Sequence, residues 1–104
     1  GPRLRAAIGW AGGGPGRVTG HGLGPADEDP RIDSVARALK GVQNCLADGI
    51  DVRGYTYWAL LDKFEWALGY WPTFGLIAVN RSTFERAPKP SASWLGQIAK
   101  ANAI

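Results

Sequence analysis

Aromatic and acidic side chains suited to binding a sugar cluster between residues 58 and 71, which read WALLDKFEWALGYW. The faces of a pyranose ring are apolar and stack on indole rings, whereas its hydroxyls need hydrogen-bond partners at fixed positions. Trp58 can stack on such a ring, Glu65 can accept bonds from two hydroxyls, and Trp66 can donate one bond from its indole nitrogen. The cluster therefore makes carbohydrate binding a candidate function.

Ordinary core packing is the alternative explanation of this cluster. In that case the rings fill the interior, and Asp62 and Glu65 are solvated loop charges. Most aromatic clusters in proteins belong to the core, so composition alone favours packing over sugar binding.

Three other features of the sequence also have both a chemical and a simpler interpretation. Cys45 lies near the edge of a helical apolar stripe, so we expect inert packing rather than a reactive thiol. The acids at 27–29 suit a helix N-terminus, where negative charge is stabilising. The alternating glycines of residues 20–24 do not open directly into a helix, so phosphate binding is not favoured.

Length and composition indicate one small globular domain or a piece of a larger one. The chain has 104 residues, of which 45% are hydrophobic and 20% charged, and its net charge is +3. The basic residues are scattered, which gives little support to nucleic-acid binding. No apolar stretch approaches the roughly 20 residues that a membrane span needs. The single cysteine excludes an internal disulfide and a cysteine-based metal cluster.

The start of the chain carries no visible secretion signal, so a cytoplasmic location is expected. The sequence contains no Met. A translated chain normally begins with one, so this chain is processed, engineered or a piece of a longer product.

The first half of the chain predicts an arm, a short strand and a helix. Residues 1–17 are rich in Gly, Pro and Arg and are predicted to form an irregular arm. Residues 18–24 are predicted to end a strand and enter a Gly-rich loop. Asp29 as N-cap and Pro30 at the first helical position predict a helix with one apolar face, which Gly49 ends.

The second half of the sequence predicts a strand, an aromatic loop over residues 62–73 and a helix. Residues 52–61 are β-branched and aromatic, which is typical of a strand buried on both faces in a parallel sheet. Residues 74–79 predict a short strand or hairpin arm, and 80–90 a polar connection. Ser91 is predicted to cap the last helix. The alternation indicates an α/β fold with parallel strands, and two such strands cannot cover themselves.

The stretch GYTYWALLDKFEWALGYWPTFGLIAVNRSTFERAPKPSASW resembles the carboxyl-terminal signature of family 1 glycoside hydrolases, the β-glucosidase group. That signature runs close to W-S-L-L-D-N-F-E-W, then G-Y, F-G-L and R-x-P-K-x-S-A-x-W. The resemblance covers residues 18–104, and residues 1–17 match poorly. It implies the carboxyl-terminal quarter of a (β/α)₈ TIM barrel, from strand seven to helix eight.

The resemblance also implies an activity and a set of site residues. The activity is hydrolysis of terminal β-glucosyl residues with retention, without a cofactor or metal. Trp58 would be the sugar platform, Glu65 would bind the outer hydroxyls with help from Trp66, and Phe74 would wall the pocket. The implied partners are a β-glucoside or related sugar and either the missing part of the barrel or a second copy of the chain.

Both catalytic carboxylates that the resemblance would require are missing from the sequence. A retaining glycosidase uses two, about 5–5.5 Å apart. The family nucleophile is the Glu of a T-E-N-G motif, and residues 19–22 read T-G-H-G, with Gly20 at the Glu position. The family acid/base lies in an N-E-P motif, which these residues do not contain. His21 could act as a base, although a lone loop histidine is more often plain surface.

The sequence departs from the signature at two further positions, and it supports three functional hypotheses. Lys63 replaces the usual Asn and brings a cation next to Glu65, and Asn80 replaces a common Asp. The leading hypothesis is a piece of a β-glucosidase-type hydrolase that is inactive alone. The alternatives are a non-catalytic sugar-binding or interaction fragment, and a degenerate remnant.

Overall fold

The computed structural model describes residues 14–24 and 27–104. Most of the arm predicted for residues 1–17 lies outside this part of the chain. In chain order the elements are β1 (Gly16–His21), α1 (Glu28–Ala47), β2 (Val52–Tyr57), a single 3₁₀ turn (Trp66–Leu68), β3 (Ile77–Val79), β4 (Arg86–Pro88) and α2 (Pro90–Ala101). The predicted α/β alternation is confirmed. The first strand begins at Gly16, so the last two residues of the predicted arm belong to β1.

The strands β1 and β2 form a parallel pair, as the sequence predicts. Val18 lies opposite Tyr55 and His21 lies opposite Tyr57, so the register shifts between them. Gly20 lies within this irregularity with φ at +68°, a left-handed conformation that glycine adopts readily. The irregularity therefore sits at the carboxyl end of β1.

The helix α1 begins earlier than Asp29, the residue predicted as its N-cap. Its N-cap is Asp27, and Glu28 and Asp29 lie in its first turn. Pro30 is tolerated there because the first backbone N–H groups of a helix have no intrahelical acceptor. The helix ends at Ala47, and Gly49 follows with φ at +78°, so the predicted stop at Gly49 is confirmed.

The strand β2 is shorter and less buried than predicted for residues 52–61. It ends at Tyr57, and of its six residues only Val52 is buried. Residues 59–62 pair instead with the segment that enters β3. Leu76 N–H donates to Ala59 O at 3.0 Å, and Ile77 N–H donates to Leu60 O at 2.9 Å. The low burial follows from the small sheet, because β1 is the only strand that the described chain pairs with β2.

The predicted hairpin arm within residues 74–79 is confirmed as β3, which pairs antiparallel with β4. The helix α2 then begins at Pro90 with Lys89 as N-cap, so the prediction that Ser91 caps it was wrong. The Ser91 N–H and hydroxyl both donate to Glu28 Oε1, at 3.0 and 2.8 Å. A carboxylate from α1 thus accepts the bonds at this helix terminus, where negative charge is favoured.

The centre of the described structure is small and partly polar. The buried apolar side chains are Val35, Cys45, Val52, Pro72 and Leu76, and the buried polar ones are Arg31 and Ser91. The burial of Cys45 agrees with its predicted packing role. No helix in residues 14–24 and 27–104 is both long and apolar enough to cross a membrane.

Candidate functional site

Two of the predicted sugar-binding residues, Trp58 and Glu65, are in direct contact. The Trp58 indole nitrogen donates to Glu65 Oε1 at 3.3 Å. Trp58 keeps 43% of its surface exposed, whereas only 11% of the Glu65 side chain is exposed. An open indole face beside a partly buried carboxylate is an arrangement that can stack a sugar ring and accept its hydroxyls.

The strand β2 carries Trp58 to this position at the end of the parallel pair. The Trp58 N–H donates to the His21 carbonyl at 2.8 Å, immediately after the last residue of β2. Gly22 lies so close that an added Cβ would stand 2.1 Å from the Trp58 carbonyl oxygen. The loop after β1 therefore needs glycine at this position, because any side chain would clash with the Trp58 backbone.

The predicted wall residue, Phe74, lies against the same loop. Its ring packs on Gly22 and Gly24, and Thr73 N–H donates to Gly24 O at 2.9 Å. The Phe74 carbonyl accepts a bond from the Tyr57 hydroxyl at 2.9 Å. Phe74 and Trp58 thus both border the glycine loop that follows β1.

Trp66 belongs to a second aromatic group. Its ring makes an edge contact with Phe64, with centroids 6.3 Å apart, and Phe64 also contacts Tyr70 at 5.3 Å. The guanidinium of Arg81 lies 4.2 Å from the centre of the Tyr70 ring. Trp66 is 80% exposed. Its ring contact is with Phe64 rather than with Trp58.

Asp62 has a structural role that the sequence did not indicate. Its Oδ1 accepts bonds from Gly75 N–H and from the Lys89 ammonium, each at 2.9 Å. An added Cβ at Gly75 would stand 2.3 Å from the Asp62 backbone nitrogen. Asp62 therefore holds the aromatic loop against the start of the hairpin. The prediction that it is a solvated loop charge was wrong.

Lys63 forms the closest charged contact with the predicted sugar-binding pair. Its ammonium lies 3.2 Å from Glu65 Oε1 and 4.3 Å from the centre of the Trp58 ring. The sequence placed a cation near Glu65, but it did not predict the contact with Trp58. Neighbouring chain positions gave no signal for that contact because it depends on how the loop folds back.

His21, considered above as a substitute base, is held by neighbouring side chains. Its Nδ1 lies 2.6 Å from the Tyr55 hydroxyl, and its Nε2 lies 3.4 Å from Ser34 Oγ. Partial burial lowers the pKa of His21 below its ordinary value. Burial also raises the pKa of Tyr55, with a smaller contribution from Tyr57. His21 thus links β1 to α1 and β2, and the interpretation as plain surface was wrong.

Gly20, the position matched to the family nucleophile, faces open space. An added Cβ would meet no atom within 4 Å. No side chain can emerge from this residue. Among the described residues, no three His, Cys, Asp or Glu side chains gather closely enough to hold a metal ion.

Comparison with known proteins decides the family. The model of "Glycosyl hydrolase family 1" matches residues 11–104. The chain belongs to glycosyl hydrolase family 1. This confirms the resemblance found in the sequence, and the match begins seven residues before position 18.

Solved structures of family 1 β-glycosidases superpose closely on the chain. The β-glycosidase BGL167 is 51% identical with a TM-score of 0.91, and 99% of this chain aligns with 24% of that one. The hyperthermophilic β-glucosidase from Pyrococcus furiosus is 35% identical with a TM-score of 0.90, and 98% of this chain aligns with 22% of that one.

A curated relative is likewise matched over only a small part of its length. The 6-phospho-β-galactosidase from Streptococcus mutans is 40% identical over 95 residues, which is 84% of this chain and 20% of that protein. The chain therefore spans about a quarter, or less, of the length of the relatives it matches.

Proposed function

We propose that this chain is the carboxyl-terminal quarter of a (β/α)₈ barrel from a retaining β-glucosidase-type glycoside hydrolase. It would carry part of the sugar subsite and neither catalytic carboxylate. The family membership, the parallel β1–β2 pair and the short span relative to full-length relatives support this assignment. The proposed parent would hydrolyse terminal β-glucosyl residues by double displacement, without metal or cofactor.

The observation that carries the proposal is the contact of Trp58 with Glu65. It lies just beyond the carboxyl end of β2, where barrel enzymes collect their functional residues. In the proposed site Trp58 stacks on the sugar, Glu65 accepts bonds from its outer hydroxyls, and Phe74 walls the pocket. Trp66 would assist by donating a bond from its exposed indole, a role that requires it to turn from Phe64 towards the sugar.

The chain alone is proposed to be catalytically inactive. A glycine at position 20 offers no atom to form a glycosyl ester, and the N-E-P motif of the acid/base is missing from these 104 residues. The test is incubation of the purified chain with an aryl β-glucoside, with release of the phenol followed by absorbance. No release above the buffer rate is expected. Turnover that disappears in Glu65→Ala would contradict the proposal.

Sugar binding without turnover is the positive half of the proposal. Cellobiose should quench tryptophan fluorescence saturably in the wild-type chain and much less in Glu65→Gln. The matched control is Glu85→Gln, which makes the same change of charge at an exposed position of the loop before β4. Equal quenching in wild type and both variants would remove Glu65 from the site.

A non-catalytic interaction fragment is the second candidate function. The observation in its favour is the exposure of large rings on the aromatic loop, with Trp66 at 80% and Trp71 at 69%. Exposed apolar patches of this kind mark interaction surfaces, and here the missing barrel or a second copy would cover them. Concentration-dependent association that buries these tryptophans, with no response to cellobiose, would favour this candidate over sugar binding.

A further inference from the structure

The ammonium of Lys63 contacts both groups that a sugar would need. It pairs with Glu65 Oε1 at 3.2 Å, the same oxygen that accepts the Trp58 indole bond at 3.3 Å. It also lies 4.3 Å from the centre of the Trp58 ring, within the range of a cation–π interaction. Trp58, Lys63 and Glu65 thus form one cluster, which we call the capped triad.

A sugar entering this site must compete with Lys63. The ammonium covers one face of the indole and contacts Glu65 Oε1, so a pyranose that stacks on that face and bonds to that carboxylate oxygen must displace it. Each interaction gained by the sugar is therefore offset by the loss of one made by Lys63. The ammonium can leave the carboxylate for solvent because the Lys63 side chain is 38% exposed, whereas the Glu65 side chain is only 11% exposed.

We propose that Lys63 is an internal competitor that lowers the affinity of this subsite for neutral glycosides. The inference rests on the proposed sugar-binding function and adds the regulation of its affinity. Lys63 acts through Trp58 and Glu65, so it determines affinity and specificity and takes no part in a reaction.

A neighbouring cavity gives the displaced lysine a place to go. It measures about 150 Å³ and is lined by Lys63 itself together with Asp62, Tyr70, Pro72, Thr73, Val79 and Arg81. This exceeds the roughly 30 Å³ share of one water molecule in the liquid, so it can hold an ammonium with hydration.

The test is a cellobiose titration of three forms of the full 104-residue chain. These are the wild type, Lys63→Gln and the control Lys40→Gln, which removes the same charge from an exposed position of α1. Tryptophan fluorescence reports binding, and circular dichroism checks that the variants fold alike. Lys63→Gln should bind roughly two- to fivefold more tightly than wild type, the range expected for releasing a partly exposed ion pair. Lys40→Gln should match wild type.

Salt supplies a second readout that a purely structural lysine would not move. Added sodium chloride screens the Lys63–Glu65 pair, so the affinity of the wild type should rise towards that of Lys63→Gln, while the variant stays nearly constant. If cellobiose binds the wild type and Lys63→Gln equally, or the variant more weakly, the competitor role is overturned and the sugar site stands. If none of the three forms binds cellobiose, the proposed sugar-binding function fails, and the competitor role fails with it.

Discussion

Arg31 fixes the backbone behind the candidate site. Its side chain is fully buried, it pairs with Glu28 at 3.0 Å, and its Nη1 donates to the Gly75 carbonyl at 2.8 Å. Gly75 follows the proposed wall residue Phe74 in the chain. This buried charge thus connects the first turn of α1 to the backbone next to Phe74.

Replacing Arg31 with methionine should destabilise the chain by about 3 kcal/mol, because it removes the buried partner of Glu28. The control is Arg37→Met, which breaks the exposed pair with Asp33 and should cost less than about 0.5 kcal/mol. Urea denaturation followed by circular dichroism measures both changes. Equal losses in the two variants would show that the buried pair has no special importance.

Restoring a glutamate at Gly20 should cost stability even though the space around it is open. The left-handed φ of +68° disfavours any residue with a Cβ, by about 1–2 kcal/mol. We therefore expect Gly20→Glu to unfold at lower urea concentration than the wild type. A variant as stable as the wild type would mean that the backbone of β1 relaxes freely at this position.

Protonation of His21 should destabilise the folded chain in mild acid. Its pKa in the folded chain is lowered by burial from the ordinary value of 6.5, so the unfolded chain binds a proton more readily. The free energy of unfolding should therefore fall as the pH drops through 6.5 towards the lower folded pKa. Denaturation midpoints at pH 7.5 and 5.5 measure the effect, and His21→Gln should abolish it because the chain has no other histidine. If the His21→Gln variant keeps the same pH dependence of stability, groups other than His21 cause that dependence.

At the scale of elements, the junction between the aromatic loop and β3 depends on close backbone approach. An alanine at Gly75 would place its Cβ 2.3 Å from the Asp62 nitrogen and 2.4 Å from the Leu61 carbonyl carbon. Both are backbone atoms, so the two chain segments must move apart, and Gly75→Ala should lose about 2 kcal/mol of stability.

The control for Gly75 lies in α2. Gly96 is helical and an added Cβ meets nothing within 4 Å. Gly96→Ala should therefore raise stability by about 0.5–1 kcal/mol through helix propensity. Thermal or urea denaturation compares the two variants, and a loss of stability in both would contradict the distinction between a crowded and an open glycine.

The elements with strong periodicity were predictable, and the irregular ones were not. The apolar face of α1 and its stop at Gly49 follow directly from residue spacing. The strand β4 has only three exposed residues, Arg86–Pro88, and no alternation, so its pairing with β3 left no sequence pattern. The N-caps are Asp27 and Lys89, each two residues before the predicted one, and neither side chain makes a capping hydrogen bond, so local capping rules did not indicate them.

The candidate site was predictable in its residue types and only partly in its contacts. Trp58 and Glu65, which the family resemblance named, are in contact, and their roles in sugar binding stay a prediction. The ion pair of Lys63 with Glu65 and the bonds of Asp62 to Gly75 and Lys89 depend on the three-dimensional path of the loop. Side chains in a loop have no fixed period, so residue spacing alone does not indicate which of them meet.

At the scale of the whole molecule, the described chain exposes much of its apolar surface. Ten large hydrophobic side chains are exposed, whereas five apolar side chains are buried. A groove of about 620 Å³ between α1 and α2 is lined by apolar residues such as Leu39, Val42, Leu95 and Ile98. A surface of this kind is expected where further barrel elements or a second copy would pack.

The isolated chain should therefore melt over a broad temperature range with a small enthalpy. Far-UV circular dichroism at several protein concentrations measures this. A midpoint that rises with concentration would indicate association, because assembly stabilises only the folded form. A sharp transition that does not depend on concentration would contradict the assignment to a quarter of a barrel, since it would mean that the chain completes its own core.

The most direct test of the proposed sugar-binding site is the nuclear magnetic resonance signal of the Trp58 indole N–H. This proton donates to Glu65, so a sugar that takes the carboxylate must change its environment. We predict that cellobiose shifts the Trp58 indole resonance saturably in the wild-type chain and leaves it unchanged in Glu65→Gln. A Trp58 resonance that does not move at saturating cellobiose would contradict the account.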